Sequence, residues 1–288
     1  MKHYLILSFF IFGLVTVKAQ SFSFTDEIRF ARYLEDKEQF QEAGFVLKSI
    51  DTFNLLNTQK DSLYYEIGWL AYTEKHLDSA TLFLKRVSSS DARFTKSRFF
   101  SAYCLAFRKQ YTESEIMINS MSFSDSILSE LKTFQLAGLA LLKKDAKTYD
   151  TLHKSFTYSS YLLNKEEKEM DVYAQKIFSY KRRSPFLAGL YSAVVPGLGK
   201  IYAGKKKQGL AAMLPVLSFG LLAAEAAYQN KGINNGRFWL MGSVFAIFYV
   251  GDIWGSVEAV KIKNQELDRL YENEVLFNMH IPLRNYFN

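Results

Sequence analysis

The chain has 288 residues, 49% of them hydrophobic and 16% aromatic, enough for one large or two ordinary packed cores. Its single cysteine, Cys104, excludes an internal disulfide and a cysteine metal cluster. The net charge of +7 is unevenly placed: residues 20–180 carry 21 Lys+Arg against 22 Asp+Glu, and residues 181–288 carry 13 against 7. A basic excess confined to the apolar C-terminal part points to anionic lipid rather than to nucleic acid.

The first residues, MKHYLILSFFIFGLVTVKAQ, join Lys2 and His3 to an apolar run from Tyr4 to Val17 and then to Val17-Lys18-Ala19. A basic start, a short apolar run and a small residue before the cut predict a secretory signal peptide over residues 1–19. An uncleaved anchor is the alternative, although the run is short against the roughly 20 residues that a span requires.

From Ser21 to Tyr180 there is no proline, and apolar residues recur at intervals of three and four, so residues 20–180 are expected to be helical. The region also repeats itself. Small residues stand in pairs 12 apart, Ala31/Ala43, Gly68/Ala80 and Ala102/Ser114, with Phe40, Leu77 or Tyr111 before the second of each pair. Small residues allow two antiparallel helices to approach closely, and the large residue wedges the turn. A fourth, degenerate copy surrounds Ala137 and Tyr149, and residues 159–180 read as a closing helix. The layout resembles the tetratricopeptide repeat, a helix-turn-helix unit of about 34 residues, without that repeat's terminal proline.

The resemblance implies a protein or peptide partner held in a groove lined by the first helix of each unit. Two stripes at helical spacing could supply aromatic anchors: Tyr65, Trp69 and Tyr72, and Phe99, Tyr103 and Phe107. Cover by neighbouring units is the alternative.

After Lys181-Arg182-Arg183 the composition changes, with all four prolines and eleven of the fifteen glycines beyond Tyr180. Two runs, 209–228 and 238–260, are long and apolar enough to cross a membrane, and a polar KGINNG turn joins them. They are preceded by SPFLAGLYSAVVPGLGKIYAG. Its end, G-K-I-Y-A-G-K-K, is one residue short of a phosphate loop, but Lys206 stands where magnesium needs Ser or Thr, and a membrane-grade run follows. No nucleotide is expected. The residues Pro196, Gly197, Gly199, Tyr202, Gly204 and Gly209 instead resemble the P-G-x-G-x-x-Y-x-G pattern of small bacterial membrane modules such as the two-transmembrane domain family.

Residues 184–263 are therefore expected to form a membrane module of two to three spans, with a polar tail over 264–288 holding a short helix near 265–277. If Phe186–Ala203 crosses, Lys205-Lys206-Lys207 lands in the cytoplasm; if it is re-entrant, those lysines stay outside. With a crossing segment, Lys200 and Asp252 reach equal depth, so Asp252 is expected to pair with Lys200 or with the Tyr202 hydroxyl.

Histidines 3, 76, 153 and 280 are scattered, no nucleophile elbow occurs, and Cys104 sits among apolar neighbours as a buried thiol. No cofactor, metal site or enzymatic activity is expected. The whole reads as an all-α protein: a signal peptide, a tetratricopeptide-like solenoid in the periplasm and a bundle in the bacterial inner membrane. Its implied role is to bind an envelope partner, with membrane lipid as the other contact. A transport component using Asp252 is the alternative.

Overall fold

The computed structural model describes residues 23–229 and 234–287, so the expected signal peptide lies outside the described residues. Among them every regular element is a helix: α1 (Phe24–Asp36), α2 (Phe40–Ser49), α3 (Asn57–Thr73), α4 (Leu77–Leu84), α5 (Phe94–Phe107), α6 (Tyr111–Asn119), α7 (Ser126–Leu142), α8 (Ala146–His153), α9 (Asn164–Ser179), α10 (Pro185–Val194), α11 (Leu198–Tyr202), α12 (Lys206–Gln229) and α13 (Gly236–Phe287). The chain divides into two compact units, one ending at Arg108 and one beginning at Lys109.

The first unit is built from antiparallel hairpins, α1 with α2 and α3 with α4. Ser23 caps α1 by accepting from the Asp26 N–H, and Asp26 and Glu27 suit the positive end of the helix dipole. The hairpin turns use neither glycine nor proline. After α1, Glu38 takes a left-handed φ of 59° and the Gln39 N–H donates to the Leu34 carbonyl at 2.9 Å. After α3, Lys75 (φ 63°) and the His76 N–H to the Ala71 carbonyl (2.8 Å) repeat this. In the second unit, Lys144 (φ 59°) and the Asp145 N–H to the Ala140 carbonyl (2.8 Å) do so again after α7. This backbone closure satisfies carbonyls that a helix end would otherwise leave open.

The paired small residues are at the helix contacts. Ala43, Ala80, Ala102 and Ser114 are fully buried. At Gly68 a Cβ would stand 2.8 Å from Leu84 Cγ and 2.9 Å from the Leu84 backbone nitrogen. The 12-residue spacing thus has a packing cause in α3 and α4: only a residue without a side chain lets them meet there.

In the second unit α7 and α9 pack against the last part of α13. Of residues 264–288, expected as a polar tail, those described, 264–287, instead belong to one 52-residue helix that continues out of the apolar run. Val275, Met279 and Leu283 recur every four residues and are fully buried, forming a seam along this end of the helix. Two buried amides lock it: Gln135 Nε2 donates to the Met279 carbonyl at 2.7 Å, and Asn278 Nδ2 to the Glu166 carbonyl at 2.7 Å.

Candidate functional site

The two aromatic stripes separate. Phe99 is 1% exposed and turns into the core, so it cannot line a groove. Tyr65 is buried and stacks on Trp69, with ring centroids 6.0 Å apart. Trp69 is covered from α5 by the edge of Phe100 at 5.0 Å and by Lys96 Nζ, 4.0 Å from its ring centroid. Here the alternative of cover by a neighbouring helix holds. Tyr72, Tyr103 and the exposed Phe107 do line an open cleft of about 500 Å³, together with Thr73, Lys75 and Leu77. Burial pushes the Tyr103 hydroxyl up to about 12, so that it is a neutral hydrogen-bonding group at physiological pH.

Polar residues inside the hairpins had not been singled out from the sequence. Glu66 is 4% exposed, ion-pairs with Arg32, and lies 3.8 Å from Arg93. Asp61 accepts from the Ser88 N–H at 2.9 Å and from its hydroxyl at 2.5 Å, tying α3 to the loop after α4. The signal for Glu66 was a carboxylate inside the apolar run of α3, which requires a partner when buried; Asp61 follows Asn57-Thr58-Gln59-Lys60 and gave no such signal. Cys104 is a fully buried free thiol, pushed up to about 12 chiefly by burial, and is inert as expected.

The glycine-rich motif forms a different object. Ser184 accepts from the Leu187 N–H and Pro185 occupies the first turn, which starts α10. Ten residues later the helix breaks at Val195-Pro196-Gly197, where Gly197 has φ 81°. The chain then folds back: the Gly199 N–H donates to Ser192 Oγ at 3.1 Å, and a Cβ on Gly199 would stand 2.0 Å from the Ala188 carbonyl oxygen. At the far end the Tyr202 carbonyl accepts from Arg183 at 2.5 Å, and the Tyr202 hydroxyl accepts from the Ser184 N–H at 3.2 Å. The end of α11 therefore lies beside the start of α10.

Of the two arrangements weighed for 186–203, a crossing segment and a re-entrant one, the crossing segment is overturned: the chain forms a helical hairpin whose two ends lie side by side. A helix of 10 residues is about 15 Å long, half a bilayer core. Two helices, α12 and α13, are long and apolar enough to cross. Each motif glycine has its own cause. A Cβ on Gly197 would be 2.1 Å from the Gly209 carbonyl oxygen and one on Gly209 would be 2.6 Å from that of Gly197, so the break rests directly on α12. Gly204 has φ 87° in the turn beside Arg183.

Three residues on one face of α13, spaced three and four, hold the break, two of them by bonds to its backbone. The Tyr249 hydroxyl donates to the Ala193 carbonyl at 2.7 Å. Asp252, 3% exposed, accepts the Gly197 N–H at 2.6 Å on one oxygen and Lys200 Nζ at 2.9 Å on the other. The Ser256 hydroxyl is 2.8 Å from that of Ser192. Of the two partners expected for Asp252, Lys200 is the one present; the Tyr202 hydroxyl serves Ser184 instead. The N–H groups of Gly199, Ile201, Ala203, Gly204 and Lys205 all go to partners within the fold, so the loop presents none of them to a phosphate. Among the described residues no group of three or more His, Cys, Asp or Glu is placed to hold a metal ion.

Comparison with known protein families, with curated proteins and with solved structures gave no match for this chain.

Proposed function

We propose that this chain is a membrane-anchored interaction protein of the bacterial envelope. Its tetratricopeptide-like hairpins bind a peptide or protein segment, and the α10–α13 module holds them at the inner membrane. The observation that carries this reading is the open cleft lined by Tyr72, Tyr103 and Phe107. Rigid aromatic faces around an open apolar cleft are what anchor an inserted side chain. The transport alternative has less support, since both oxygens of Asp252 are already engaged by Gly197 and Lys200.

The hairpin makes the two sides of the module unequal. Tyr180 and Arg183 both hydrogen-bond to Asn264, so the chain enters the module and leaves it at one level. Helices before residue 180 and after residue 264 therefore flank the same face. Under the signal-peptide reading that face is the exported one, because long domains translocate largely regardless of flanking charge.

A photo-crosslinking residue placed at Phe107 or Tyr103 in cells tests the cleft, with the exposed Phe53 as control position. A discrete adduct from the cleft and none from the control is expected; equal or absent adducts at all three positions would overturn the reading. A single Cys at Lys75 in a Cys104→Ser background, treated with an impermeant maleimide in intact spheroplasts, tests the side. Labelling before lysis is expected, and labelling only afterwards would place the hairpins in the cytosol.

A further inference from the structure

Three stretches of chain distant in sequence meet at the level where the hairpin starts. Arg183 donates to the Tyr202 carbonyl at 2.5 Å and lies 3.0 Å from where a Gly204 Cβ would stand. Asn264 Nδ2 donates to the Arg183 carbonyl at 2.9 Å, and the Tyr180 hydroxyl donates to Asn264 Oδ1 at 3.3 Å. Lys181-Arg182-Arg183 before α10, Lys205-Lys206-Lys207 at the start of α12, and Lys261 and Lys263 on α13 are all within a turn or so of this layer. Asp268, Glu258 and Glu266 engage Arg182, Lys261 and Lys263 respectively. Among the described residues, Lys181 and Lys205–Lys207 have no carboxylate partner. At the opposite end of α12 and α13, Arg237 is matched by Glu225.

We infer that this basic collar binds the phosphate headgroups of anionic phospholipids in the leaflet that α10 enters. The inference rests on reading α12 and α13 as membrane spans. Four cations held close together repel one another, and a leaflet of phosphate headgroups supplies opposite charge at this depth, about 1 kcal/mol per lysine near the surface. Tyr180 and Tyr202 lie in the same layer, where amphipathic rings favour the headgroup region. The orientation proposed above sharpens the point. It sets the collar on the exported side, against the usual bias of Lys and Arg toward the cytoplasm, and headgroup binding gives the lysines a role there.

The test uses the full-length protein purified in a neutral detergent, with phosphatidylglycerol or phosphatidylcholine added and retained lipid counted by native mass spectrometry. The wild type is expected to retain phosphatidylglycerol preferentially. The variant Lys181→Gln/Lys205→Gln/Lys206→Gln/Lys207→Gln should lose about fivefold in affinity per lysine removed, while Arg237→Gln should bind as the wild type does. Equal retention of the two lipids, or an unchanged quadruple variant, would overturn the proposal. So would competition by glycerol phosphate at the same concentration, which would mark a site for a soluble anion. Resistance of the protein to alkaline carbonate extraction is scored separately. Loss of that resistance would remove the spans themselves, whereas an integral protein without lipid preference would remove only the collar. Gel filtration confirms that the quadruple variant, altered only at surface lysines, remains folded.

Discussion

Asp61 and Asp252 are both buried carboxylates, 6% and 3% exposed, and each fixes a bend in the chain by accepting a backbone N–H. The difference is in what fills the second oxygen. Asp61, among the first unit's hairpins, takes the hydroxyl of the same Ser88 whose N–H it accepts. Asp252, facing the α10–α11 hairpin, takes the ammonium of Lys200. The proposed membrane reading of α12 and α13 accounts for the difference, since a carboxylate and a lysine placed in hydrocarbon would each need an opposite charge. The two regions also use glycine differently. Gly68 makes room against the Leu84 side chain and nitrogen, while Gly197 and Gly199 face carbonyl oxygens that are themselves held in place.

The sharpest way to break this comparison is at the glycines of the membrane hairpin. Gly199→Ala sets a methyl 2.0 Å from the Ala188 oxygen and 2.7 Å from Ser256 Cβ. Neither can retreat without opening the hairpin, so a loss above about 4 kcal/mol is expected, seen as missing folded protein after detergent extraction. Near-normal yield would mean that the hairpin is not held as described.

Asp252→Asn comes next. The amide oxygen can still accept the Gly197 N–H, but the partly buried Lys200 is left without its counter-charge, at a cost of about 3 kcal/mol in detergent unfolding. Asp61→Asn should cost under about 1 kcal/mol, because its amide can still serve both groups of Ser88. Adding Lys200→Met to Asp252→Asn should recover part of the loss. Equal effects at Asp61 and Asp252 would refute the distinction between the two settings.

Gly68→Ala is the matching change in the first unit. Its Cβ meets chiefly a flexible leucine, which can shift partway, so about 2 kcal/mol is expected. Leu84→Ala in the same chain should make the pair less costly than the sum of the single changes, with thermal unfolding as the measurement. Strict additivity would show that Leu84 is not what Gly68 accommodates.

Much of this was legible in residues. In α1–α2 and α3–α4 the pairs 12 apart fell at hairpin contacts, because a missing side chain is visible in sequence whatever the neighbour turns out to be. The pairing of Lys200 with Asp252 was expected from equal depth on two straight spans, and it holds although one of those spans is a hairpin. The break itself was written in Pro196 and Gly197, but span length and the charge of Lys205–Lys207 argued for a crossing helix and outweighed it. The final seam of α13 was missed because the charges before it, from Glu266 to Glu274, set the reading of a polar tail, although 275–283 itself carries no Asp, Glu, Lys or Arg. The fate of the aromatics could not be read, because Phe99 and Phe107 lie on one stripe and differ only in what covers them.

The smallest effect tests the interior charges of the first unit. Glu35 has one carboxylate oxygen buried without a hydrogen-bond partner. Burial, and then the charge of Glu66, push its carboxyl from 4.5 up to about 7, against the opposing pull of Arg32. A folded-state value above the unfolded one means that its contribution is fully present below about pH 4.5 and is lost as pH rises through about 7. Because the carboxyl is roughly half exposed, solvent screening reduces the loss to about 1 kcal/mol. Glu35→Gln should abolish this loss: relative to the wild type, the variant should gain about 1 kcal/mol between pH 5 and pH 8. Trp69 reports unfolding of this unit once Trp239 and Trp254 are replaced by Phe. Parallel pH profiles for the two proteins would mean that Glu35 reaches water in the folded state and carries no penalty.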